Sequence, residues 1–125
     1  MRLFISYARL YKPVVRQLVD LLKNGGHDPW YDHQLTPGEP WEDQLIAAIK
    51  KCDVFIYVLT PESVNSSYCQ WEFKQAVEMG KPVLPILAQA DTELPEALQK
   101  IEFVDFSDGA SPVNTARLMG GLSNL

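Results

Sequence analysis

The apolar positions of the chain change period several times, and the changes alternate. Leu3 to Ser6 is a short apolar run, the pattern of a buried strand. Val14, Leu18, Leu21 and Leu22 then recur at helical spacing, with Pro13 tolerated in the first turn and Asn24-Gly25-Gly26 as the stop. Pro29 to Asp32 reads as a second strand, and its proline assigns it to an edge. His33 to Pro40 is a loop rich in breakers. Trp41, Leu45, Ala48, Ile49 and Cys52 mark a second helix with one apolar face, Trp41 being its first core residue. Asp53 to Leu59 is apolar nearly throughout, as expected of a central strand covered on both sides.

Thr60-Pro61-Glu62 has the order of a helix start: a capping threonine, a proline, an acid. Ser67 and Gln70 have the spacing of a capping box for a further helix, running through Cys69, Phe73, Ala76 and Val77 to Gly80. Pro82 to Leu87 is another buried strand, Leu94 to Lys100 a short helix, Phe103 to Phe106 a fifth strand, and Ser111 to Leu122 a last helix. Such alternation specifies an α/β domain with right-handed crossovers. The expected architecture is a flavodoxin-like five-stranded parallel sheet of order 2-1-3-4-5 with helices on both faces.

The chain has 125 residues, 46% hydrophobic and 22% charged, which suits one soluble domain with a real core. The abrupt tail from Gly120 to Leu125 is compatible with a module cut from a longer protein. A net charge of -5 argues against nucleic-acid or anionic-membrane binding, because counterion release needs a basic face. The adjacent pair Lys50-Lys51 reads as a solvated helix end. Cys52 and Cys69 lie outside any metal-ligand spacing and read as small buried hydrophobes in a reducing compartment. No apolar run approaches the roughly 18 residues of a membrane span, and Met1 leads directly into a strand with no signal-peptide core. The expected location is the cytosol.

In an open parallel sheet, ligands bind beyond the carboxyl ends of the strands, where strand order reverses. That rule selects Ser6 to Arg9, and Thr60 through Ser67 to Glu72, with the loop His33 to Trp41 able to fold over them. Several chemistries fail there. No G-x-G-x-x-G follows the first strand and no phosphate-binding G-x-x-x-x-G-K-[ST] exists. The third strand ends Val58-Leu59-Thr60, without the aspartate of a phospho-receiver, and no G-x-S-x-G elbow is present. His27 reads as an exposed turn residue. What remains is Glu72, early in the helix after the third strand, with Tyr68 four residues before it on the same side. Position alone reads it as a solvated partner of the helix dipole, worth roughly 0.3–1 kcal/mol. The alternative is a carboxylate that holds a sugar beside a stacking ring.

Several segments resemble TIR (Toll/interleukin-1 receptor) domains. They are Phe4-Ile5-Ser6-Tyr7, Trp30-Tyr31-Asp32 with the Pro37-Gly38-x-x-Trp41 loop, Cys52 through Pro61, Ser66-Ser67-Tyr68-Cys69-Gln70-Trp71-Glu72, and Gly80 through Ile86. The likeness spans nearly the whole chain in the right order, and the bacterial NAD+-cleaving subgroup is the nearest. The resemblance implies a flavodoxin-like fold and, in many bacterial and plant members, cleavage of NAD+ at the nicotinamide–ribose bond. It makes Glu72 the catalytic residue. Ser6, Tyr7, Arg9, Asp32, Trp41, Tyr68 and Cys69 then bind the substrate, Arg9 standing in beyond Ala8 for the basic residue that enzymatic members carry. NAD+ is substrate here, so no cofactor and no metal are expected. The ring at Tyr68 bears on whether ADP-ribose leaves linear or cyclised; tryptophan is common there, and tyrosine leaves the product open.

Breaking this N-glycosidic bond builds oxocarbenium character that one carboxylate can stabilise. Family members also assemble, which makes His33, Leu35, Pro37 and Gly38 an assembly loop. The implied partners are other TIR domains in a homo-oligomer, as an open filament where the rotation does not close. The implied role is an effector of antiphage defence or cell suicide. A non-catalytic TIR–TIR interaction module and a virulence factor are the alternatives.

Overall fold

The computed structural model describes residues 1–9, 12–31 and 38–125. Five strands, β1 (Arg2–Ser6), β2 (Asp28–Tyr31), β3 (Val54–Leu59), β4 (Val83–Leu87) and β5 (Val104–Asp105), alternate with helices. These are α1 (Lys12–Asn24), α2 (Trp41–Lys51), α3 (Pro61–Asn65), α4 (Ser67–Glu78) and α5 (Pro112–Ser123). All strand pairs are parallel and the order is β2-β1-β3-β4-β5, the expected flavodoxin-like topology.

The sheet divides the interior into two apolar layers. On one face Leu3, Ile5, Val54, Ile56 and Val58 pack against Val15, Leu18, Val19 and Leu22 of α1 and Leu118 and Leu122 of α5. On the other, Phe4, Phe55, Tyr57 and Leu59 meet Leu45 and Ile49 of α2 and Cys69 and Ala76 of α4. β3 has all six residues buried, as a central strand must. Alternate residues of one strand therefore serve opposite layers.

Prolines mark the margins. Pro29 lies in β2, the edge strand. Pro85 lies in β4, which has neighbours on both sides. The Ala88 N–H donates to the Leu59 carbonyl at 3.0 Å, so even-numbered residues turn their N–H toward β3. Pro85 faces the other way, where β5 pairs only with Ile86 and Leu87. The missing donor thus falls where no partner strand has begun.

Several elements differ in detail from the sequence reading. The α1 face that packs inward carries Val15 and Val19, while Val14 is 39% exposed. Val77 likewise points outward from α4 at 54% exposure. The cap of α4 is Ser66, whose Oγ accepts from the Cys69 N–H at 3.2 Å. Ser67 is already helical, and the Gln70 side chain donates to the Val64 carbonyl at 2.7 Å instead of closing a box. The segment Leu94 to Lys100 yields only a 3-10 turn at Glu96–Leu98 after Pro95. The fifth strand shrinks to two residues, with Phe103 outside it. Thr60 caps α3 as expected. Gly120 and Gly121 lie within α5, and a Cβ on Gly121 would meet Leu84 Cδ1 at 3.5 Å. Among the described residues, no helix is long and apolar enough to cross a membrane.

Candidate active site

The open end of the sheet is built from the last residue of β1, the β3–α3 corner and the first turns of α4. The corner is fixed by a reciprocal cap: Thr60 Oγ1 accepts from the Ser63 N–H at 3.0 Å, and Ser63 Oγ accepts from the Thr60 N–H at 2.9 Å. Ser63 Oγ also lies 2.8 Å from the Val58 carbonyl, to which it donates. The Tyr57 hydroxyl donates to the Ser63 carbonyl at 3.2 Å. These buried polar groups are all partnered, which is what makes such a corner rigid.

α4 turns Cys69, Glu72 and Ala76 inward, three residues on one face. Glu72 is 2% exposed, so the solvated reading of its position is wrong. It is the sixth residue of the helix, past the first turn in which the dipole acts. Its stabilisation comes from elsewhere: Ser6 Oγ, itself 1% exposed, donates to Glu72 Oε1 at 2.7 Å. Burial, then the neighbouring Cys69 thiol and Glu72 carboxyl, push the Tyr57 phenol far above its ordinary range. Tyr57 therefore stays a neutral donor beside the carboxylate.

An aromatic cluster joins α2 to the helix that carries Glu72. The Trp41 ring lies 5.1 Å from Tyr68, tilted 33°, and 5.5 Å from Trp71, nearly edge-on at 68°. Trp41 is 43% exposed, so it is a surface residue joining α2 to α4 and not the first core residue of its helix. The half-buried Tyr68 lies one helical turn before Glu72. Helical periodicity counts its partner Trp41 as core, and only the family resemblance singles it out as a site residue.

The other expected site residues disperse. Cys69 is buried one turn before Glu72 and shares its inward face. Tyr7 packs into the layer beneath α1. Arg9 is exposed, three residues beyond Ser6. Gly38 is exposed at φ 86°, a left-handed conformation that only glycine adopts without strain. Asp32, His33, Leu35 and Pro37 lie outside the described residues. A cavity of about 120 Å³ lined by Val15, Leu18, Val58, Ile86 and Phe106 lies beneath α1, in the layer opposite α4. It has no part in this site. Among the described residues, no cluster of three metal-ligating side chains occurs.

A profile of the TIR domain matches residues 3–119. The chain is 30% identical, over 95 residues, to the probable 2′ cyclic ADP-D-ribose synthase BdTIR of Brachypodium distachyon. That alignment takes in 73% of this chain and 42% of the relative, so the chain spans about two fifths of the relative's length. Among solved structures, the TIR domain of the Toll-related receptor TRR-2 of Hydra magnipapillata superimposes with a TM-score of 0.84 at 22% identity, covering 97% of each chain. The CMP N-glycosidase BcmB of Clostridium botulinum follows with a TM-score of 0.68 at 18% identity, covering 98% of each. At these identities the two structures share the fold with this chain.

Proposed function

The chain belongs to the TIR domain family, and from that premise we propose that it cleaves the nicotinamide–ribose bond of NAD+, with Glu72 as the acting carboxylate. The observation that carries this reading is the burial of Glu72, 2% exposed, at the end of the sheet where α/β domains receive ligands. A buried carboxylate is costly to keep, and a fold retains one where its charge has work. The Brachypodium distachyon relative supports the same chemistry through its name, that of a synthase of 2′ cyclic ADP-D-ribose.

As the C1′–N bond breaks, its electron pair leaves with nicotinamide, which departs neutral because it was cationic in NAD+. The ribose is left with oxocarbenium character. Glu72 stabilises that charge, or grips the 2′-hydroxyl more tightly as it develops. Water adds to C1′ and releases a proton, giving ADP-ribose. An internal hydroxyl in water's place gives a cyclic product. Tyr68, held against Trp41, bears on which of the two attacks. A good leaving group needs little acid assistance, so one carboxylate suffices where glycosidases use two, and neither cofactor nor metal is required.

Activation comes from self-assembly of TIR domains through the loop after β2, whose end holds Gly38 at φ 86° and leads into the exposed Trp41. Draining NAD+ on clustering suits a suicide response, as in antiphage defence. The test is to incubate concentrated or artificially clustered protein with NAD+ and follow nicotinamide and the ADP-ribose products. Turnover should climb more steeply than protein concentration and fall about 100-fold or more in Glu72→Ala. Activity that survives this substitution overturns the assignment. No turnover, with association lost on Gly38→Ala, would leave an adhesive module in its place.

A further inference from the structure

We infer that Ser6 is a positioning residue: it acts on the reaction through Glu72, to which its hydroxyl donates its hydrogen bond. The inference rests on the reading of Glu72 as the acting carboxylate. Ser6 closes β1 and pairs in register with Tyr57 of the fully buried β3, so its backbone is held by the centre of the sheet. Its hydroxyl, 1% exposed, is enclosed together with the Glu72 carboxyl, 2% exposed. Its proton is already committed, 2.7 Å from Glu72 Oε1.

The contact joins residues 66 apart, from a strand in mid-sheet to a helix above it. A glutamate has three side-chain torsions, and a fixed donor on one oxygen removes most of that freedom before substrate arrives. The donor is neutral. A lysine or arginine there would hold the carboxylate equally well but would cancel the charge that the cationic ribose needs. A hydroxyl orients the group and leaves its charge available. Preorganisation of this kind acts on the chemical step and not on binding.

Wild type, Ser6→Ala and Ser6→Cys are compared for nicotinamide release under clustering, with thermal unfolding as the check on folding. Ser6→Ala should lower kcat about 10- to 100-fold, the loss expected for one hydrogen bond to a charged group, with KM changed by less than about 2-fold. Ser6→Cys keeps the size and a weaker donor, and should fall between the two. If Ser6→Ala is too unstable to assay, the cysteine variant alone decides by the same split between kcat and KM. A kcat within about 3-fold of wild type, or a loss confined to KM, overturns the positioning role while leaving Glu72 as the acting group. Absence of wild-type turnover takes down the function and this role together. A stability double-mutant cycle that still couples Ser6 to Glu72 would then identify the function, and not the contact, as the failure.

Discussion

Two buried acids of this domain differ in what burial does to them. Glu72 is held by a hydroxyl donor from another element, so its burial is compensated and orients it. The Cys52 thiol has no such use: burial is the largest influence on it and pushes it up from 9.0 to about 11, against a smaller opposing pull from Lys81. Because the folded value lies above the unfolded one, the protonated thiol favours the fold below pH 9. That contribution is lost as pH rises through about 11. Stability measured by urea unfolding should therefore decline over this window, and a Cys52→Ala variant should decline less. At neutral pH, iodoacetamide should label Cys52 far more slowly in the folded protein than in urea. Burial of Glu72 is the residue-scale fact least visible in the sequence. Helical spacing sets it beside Ala76 and the Cys69-Phe73-Ala76 stripe, at the border of the core, but the partner that completes its burial lies 66 positions away.

At the scale of elements, the β3–α3 corner depends on a single side chain. Ser63 is fully buried and serves the Thr60 N–H and the Val58 carbonyl at once. Ser63→Ala leaves these buried groups unpaired and removes half of the cap of a five-residue helix. It should cost about 1–3 kcal/mol, read as a lowered Tm, and should lower turnover as the floor beneath Tyr57 loosens. The capping threonine and proline of α3 were legible because cap chemistry is local. So was the strand–helix alternation, since each buried strand is a continuous apolar run. What misled was redundancy: Val14-Val15 and Leu21-Leu22 offer two helical stripes, and tertiary contact with the sheet selects the one through Val15, Leu18, Val19 and Leu22. Adjacent serines likewise left the start of α4 open by one residue, and only the geometry at Ser66 decides it.

At the scale of the whole molecule, the two apolar layers share one sheet and should melt together. Trp30 and Trp71 pack into the α2–α4 layer, and Trp41 meets Trp71 edge-on. Tryptophan fluorescence therefore reports one side of the sheet, while far-UV circular dichroism reports both. Their urea transitions should coincide; a fluorescence change that precedes the other would show the α2–α4 side opening alone. The margins of the sheet carry a further consequence for a domain proposed to work when crowded. One border strand is a two-residue stub, and the opposite one contains Pro29, which has no amide hydrogen to offer. Neither rim presents a long backbone template, so neighbouring copies have little opportunity to zip together into cross-β aggregates. High local density can then favour ordered stacking through side-chain surfaces without inviting precipitation.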